Sequence, residues 1–180
     1  MPRLFVGLEL PDPVLEQLLS LREDIAGARW QNANQLHLTL AFIGNVDDTT
    51  AASIRAGLQY LAADPFELQL RGVGRFGSDE HPRNLWVGAA PEAPLVAIHG
   101  QARSVLKAAG LTVDERPYKP HVTLARMGRN AGPTGPFLER FEDFRSLPFP
   151  VDHISLFRST LSHEGSQYDV VQRIPLADPA

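Results

Sequence analysis

The chain has 180 residues, 43% of them hydrophobic and 21% charged, enough for one sizeable core and too few for two ordinary independent domains. It has no cysteine, which excludes disulfides, thiolate catalysis and Cys-ligated zinc, and no apolar run approaches the roughly 20 residues of a membrane span. A net charge of -4, from 17 basic against 21 acidic residues, argues against a coat for nucleic acid but not against an enzyme that grips one terminal phosphate.

The opening Met-Pro-Arg-Leu-Phe lacks the apolar region and cleavage site of a secretory signal, so a cytoplasmic location and no membrane partner are expected. Arg3 to Leu10, rich in Leu, Phe and Val, predicts a central strand closed by Pro11. Asp12-Pro13 supplies an N-cap and a proline at the first helical position; Val14, Leu18, Leu21 and Ile25 then recur at helical spacing up to Gly27. Arg29-Trp30 starts a Gln- and Asn-rich connection into a strand that begins at His37 and ends at Gly44-Asn45. Asp47 or Asp48 caps a second helix with the stripe Ala51, Ile54, Leu58 and Leu61, terminated by Pro65.

Phe66 to Leu70 alternates as a half-buried strand, Gly72 to Arg83 reads as a long hairpin or crossing loop, and Leu85 to Val87 is a short strand. A third helix starts near Pro94 and carries Leu95, Ile98, Ala102, Val105 and Ala109 on one face. Leu111 to Val113 reads as a short strand before Tyr118-Lys-Pro120, which delivers a strand at His121. Gly128 to Pro136 has the composition of a mobile rim. Val151 to Phe157 and Tyr168 to Ile174 are the last strands, a hairpin joined through Ser162 to Gly165.

His37-Leu-Thr-Leu-Ala-Phe42 returns as His121-Val-Thr-Leu-Ala-Arg126, changed only at the second and sixth positions, 84 residues later. In an extended strand His37 and Thr39 share one face while Leu38 and Leu40 share the other, and His121 and Thr123 repeat this against Val122 and Leu124. Two such rows facing a cleft supply imidazoles and hydroxyls suited to acid–base chemistry at an anionic centre. The fold expected is α+β: two pseudo-symmetric lobes, each an antiparallel-rich sheet backed by helices, forming a single bilobal domain over residues 1–180 with the paired motifs in its cleft.

Arg116, Lys119, Arg126 and Arg129 cluster around the second copy and suggest an anion site. Strict alternation puts Arg126 opposite His121, so it reaches the cleft only where the strand ends, twists or bulges; Lys119 has the matching parity. Phe42 and Trp30 can stack on a base, with core packing as the ordinary alternative. His153-Ile-Ser-Leu resembles a degraded third copy and is read as structural; His81, His99 and His163 are read as surface residues. No histidine stands in a known ligand spacing, so no metal or other cofactor is implied.

These motifs resemble the 2H phosphoesterases, in particular the bacterial and archaeal RNA 2′,3′-cyclic phosphodiesterases formerly called 2′-5′ RNA ligases. The likeness runs from Arg3-Leu-Phe-Val-Gly-Leu-Glu-Leu-Pro11 through Trp30, Asn34 to Leu40, Phe42 to Gly44 and Pro120 to Arg126, and ends in Ser159-Thr-Leu161, Gly165 and Tyr168. It implies that His37 donates and His121 accepts a proton, opening the cyclic phosphate of an RNA end to a 2′-phosphate. It also implies that Arg126 fills the signature arginine position. Thr39 and Thr123, with Arg126 or Lys119, would hold phosphate oxygens and Phe42 a base. A monomer is expected. Two other readings share these residues: a reversible 2′-5′ RNA ligase, with a ribose hydroxyl in place of water, and a module that binds RNA ends without turnover.

Overall fold

Alternation of apolar with His and Thr side chains makes the two motif strands suitable for the middle of a sheet, with one face in the core and one in solvent. The computed structural model describes residues 1–163 and 165–177. Its strands are β1 (Arg3–Leu8), β2 (Ala28–Trp30), β3 (Leu38–Asn45), β4 (Phe66–Gly77), β5 (Pro82–Ala90), β6 (His121–Met127), β7 (Phe149–Val151), β8 (His153–Ser162) and β9 (Gly165–Pro175). The helices are α1 (Asp12–Leu19), α2 (Asp48–Leu58), α3 (Ala93–Ala108) and α4 (Gly135–Arg140). The fold is α+β, an antiparallel half-barrel sheet with helices packed on it, in the order β7-β4-β5-β6-β3-β1-β8-β9, with β2 added beside β6. The two motif strands are neighbours at its centre, joined at the pair Leu38↔Val122.

Leu38, Leu40, Val122 and Leu124 are buried in one cluster with Ile54 and Leu58 of α2 and Leu95, Ile98 and Ala102 of α3. Each such Leu, Ile or Val contributes roughly 1.5–3 kcal/mol on burial, which ties the motif register to the core: a one-residue slip would expose these apolar positions. Asp47 caps α2, its carboxylate accepting from the Thr50 N–H at 2.7 Å. Gly7 of β1 allows a close approach, since a Cβ there would stand 2.7 Å from the Leu38 carbonyl oxygen.

Several expectations are corrected. The N-cap of α1 is Pro11, not Asp12, and the helix stops at Leu19; Leu21 is still buried, but from a turn. Likewise α2 ends at Leu58, and Leu61 is buried beyond it. Residues 28–30, read as connection, form β2 because their backbone has the edge of β6 to pair with. Most of 72–83 is strand: β4 runs to Gly77 and β5 begins at Pro82, leaving a short turn. Leu111 to Val113 is not a strand. Gly128 to Pro136 is no mere rim, because Thr134 is fully buried there, its hydroxyl accepting from Arg75 at 2.9 Å, and α4 follows with Phe137 in the core. The β8–β9 hairpin is present and longer than expected; of the predicted joining residues 162–165, Glu164 lies outside the described residues.

Candidate active site

The two strands pair at Leu38↔Val122, whose buried side chains leave the flanking His37, Thr39, His121 and Thr123 on the other face of the sheet. In both motifs the imidazole is fixed the same way. The Nδ1–H of His37 donates to the Gln35 carbonyl at 2.7 Å, and that of His121 to the Lys119 carbonyl at 2.6 Å. A carbonyl only accepts, so each ring keeps its proton on Nδ1 and turns Nε2 outward. The Nε2 of His37 meets Thr39 Oγ1 at 2.9 Å.

Aromatic rings frame each imidazole. His37 lies 4.7 Å from Phe5, 5.0 Å from Tyr168 in an edge-on contact and 5.9 Å from Phe157. His121 meets Phe76 edge-on at 5.0 Å and Trp86 at 6.1 Å. These framing residues come from β1, β4, β5, β8 and β9; Phe5 and Tyr168 stand in stretches that carry the family likeness, but only sheet order brings all five rings to the motifs. Burial is the main force that depresses the His37 pKa, to about 4, with the charges of Arg126 and His121 adding to it. His121 is also pushed down, chiefly by burial and then by Lys119 and Arg126; the carbonyl bonds oppose both shifts. Both shifts favour the neutral imidazole.

The sixth motif position reaches the same face by a bulge. Between β1 and β3 the register passes from Val6↔Ala41 to Gly7↔Thr39, leaving Leu40 as the extra residue. Between β5 and β6 it passes from Leu85↔Ala125 to Trp86↔Thr123, leaving Leu124 extra. Leu40 with Ala41, and Leu124 with Ala125, are consecutive buried pairs. Parity thus changes, and Phe42 and Arg126 emerge on the histidine side. Arg126 influences both imidazoles and makes no ion pair with a described residue.

Other expected residues divide. Lys119 places its carbonyl on His121, but its ammonium is 3.2 Å from Glu92 and 5.5 Å from the Trp86 ring. Arg116 is held by Asp114. Phe42 is 61% exposed, with the Arg3 guanidinium 5.4 Å from its ring, so core packing does not account for it. Trp30 instead packs on Phe137 at 5.6 Å within the core region. His153 is held by Asp152 and Glu9, the latter also bound by Ser155 and by Arg173 through two bonds. His99 is not a surface residue: it stacks on Tyr118 at 4.1 Å and bonds the Leu40 carbonyl. Among the described residues no three His, Cys, Asp or Glu side chains converge as metal ligands, and no helix is long and apolar enough to cross a membrane.

Comparison with known proteins agrees with the fold. The 2′-5′ RNA ligase superfamily profile matches residues 10–162. The RNA 2′,3′-cyclic phosphodiesterase of Geobacillus stearothermophilus is 32% identical over 154 residues, covering 82% of this chain and 47% of that protein. This chain thus spans about half the length of that relative. The protein of the same name from Methanocaldococcus jannaschii is 29% identical over 94% of this chain and 98% of its own length. The crystal structure of TT0787 from Thermus thermophilus superposes with a TM-score of 0.81 at 26% identity, covering 99% of this chain and 100% of that one. With the profile spanning most of its length, this chain belongs to the 2′-5′ RNA ligase superfamily.

Proposed function

We propose that the protein hydrolyses RNA 2′,3′-cyclic phosphate ends to 2′-phosphomonoesters, using His37 and His121 as acid and base without a metal. The observation that carries this is the paired arrangement: two imidazoles, each with Nδ1 fixed on a carbonyl, on one face with Arg126 acting on both. The curated relatives bear that activity in their names. The whole chain is read as one catalytic unit, with the two halves of the sheet as pseudo-symmetric lobes, each giving one motif.

Water attacks phosphorus opposite the 3′ oxygen. His121 Nε2 takes the water proton, the new P–O bond forms as the P–O3′ bond breaks, and His37 Nε2–H protonates the departing oxygen. The Arg126 guanidinium and the hydroxyls of Thr39 and Thr123 hold the non-bridging oxygens as charge develops. Phe42 is exposed on the histidine side of the sheet, where a base of the RNA end would stack on it. The assignment of His37 as the acid follows the family resemblance. The depressed pKa of His37 requires that phosphate binding bring the proton with it, the negative charge offsetting Arg126 and the cost of burial.

The test is product analysis, with EDTA present, on an oligonucleotide ending in a 2′,3′-cyclic phosphate. A 2′-phosphate end is expected. A 3′-phosphate, a ligated product, or turnover that stops on chelation and returns with one divalent ion would contradict the reading.

A further inference from the structure

The first motif is secured from outside its own ladder. The bulge leaves Leu40 without a register partner on β1, and the described part of β6 pairs with β3 only at Leu38. The carbonyls of Thr39, which still pairs with Gly7, and of the unregistered Leu40 are each met by a side chain. Tyr118 Oη donates to the Thr39 carbonyl at 2.7 Å, and His99 Nδ1–H donates to the Leu40 carbonyl at 2.6 Å. Their rings stack at 4.1 Å with planes 8° apart, so each limits the other's movement. Burial, with the charge of Glu92, pushes the Tyr118 phenol up, which keeps it a donor throughout the working range. In the second motif the corresponding carbonyl, that of Leu124, is taken by the backbone N–H of Gln31 at 2.9 Å, just past β2.

We infer that the stacked His99–Tyr118 pair is a positioning device for the first motif, holding its bulged backbone so that Thr39 meets His37 and Phe42 turns to the same face. Tyr118 lies three residues before His121 and His99 lies on α3. One pair therefore ties the first motif to a helix and to the approach to the second. The inference rests on the proposed roles of His37 and Thr39, but the contacts themselves do not. An unmet buried carbonyl would have to find water or move, and a displacement of about 1 Å at a reacting group can cost up to about 100-fold in rate.

Three variants separate the contacts: Tyr118→Phe keeps the ring and removes the hydroxyl, His99→Phe keeps the stack and removes the donor, and His99→Asn keeps a donor. Imidazole nitrogen-15 NMR across pH needs no substrate. Burial depresses His37, so loosening the motif should raise its midpoint in Tyr118→Phe and His99→Phe, towards the ordinary value of about 6.5. His121 should stay in place, and His99→Asn should restore His37. Kinetically, Tyr118→Phe should lower kcat about 5–10-fold with KM within about twofold; added to Thr39→Val it should cost less than about twofold more, but its full effect should persist on Thr123→Val. Movement of His37 alone, or that selective loss of additivity, supports the proposal. An unmoved His37 in both variants, equal movement of both histidines, or equal losses on both threonine backgrounds overturns it. If the wild-type protein leaves the cyclic phosphate intact, the functional reading fails while the NMR arm still decides the positioning.

Discussion

The two His-x-Thr-Leu-Ala motifs share a bulge at the same place and differ in what the bulge presents. In the first, Leu40 is the extra residue and Phe42 emerges; in the second, Leu124 is extra and Arg126 emerges. The supports differ too: side chains of His99 and Tyr118 hold the first, a neighbouring backbone N–H the second. A repeated frame has thus been made unequal at its last position. On the proposed function, the cation half would hold the phosphate and the aromatic half a base.

The largest expected effects come from breaking the pair. His37→Ala and His121→Ala should each lower kcat/KM roughly 10²–10⁴-fold in steady-state assays on the cyclic-phosphate oligonucleotide. Arg126→Ala comes next, about 10²–10³-fold and mainly in kcat, as for loss of one oxyanion donor. Phe42→Ala should act in the opposite column, raising KM by about 10-fold while kcat changes little, as expected for one stacked base. Thr39→Val and Thr123→Val should each cost about 10-fold.

The pH profile sharpens the same comparison. Both imidazoles are pushed below their ordinary value in the free protein, so the bell in kcat/KM should lie on the acid side of about 6.5. Its limbs report macroscopic values of the coupled pair. On the proposed function, bound phosphate should raise both, which places the bell in kcat at higher pH. Coincident bells would mean that substrate charge does not reach the histidines. The smallest effect is assigned to His153→Ala, whose bonds go to Asp152 and Glu9: turnover should stay within about twofold.

Period-two alternation made the two motifs and their buried partners legible, because Leu38, Leu40, Val122 and Leu124 lie in the core as their spacing requires. The same rule misplaced Arg126, since alternation counts residues and a bulge adds one. The repeated Leu-Ala at 40–41 and 124–125 is the one local trace of it: two small-to-medium apolar residues in succession, both buried. Residues 28–30 and 135–140 were missed for other reasons. β2 is three residues long and exists through pairing with β6, and α4 starts within Gly-Pro-Thr-Gly-Pro, whose composition favours turns. The rings around His37 and His121 come from strands far apart in sequence and needed the sheet order to be found.

The division of labour between the two halves is tested most directly by a substrate whose 3′ leaving group needs no proton. Measured on His37→Ala and His121→Ala side by side, such a substrate should restore the rate of His37→Ala and leave His121→Ala slow. Recovery of His121→Ala in place of His37→Ala would reverse the assignment of acid and base, and recovery of neither, with a flat pH profile in the wild-type protein, would contradict acid–base catalysis by this pair.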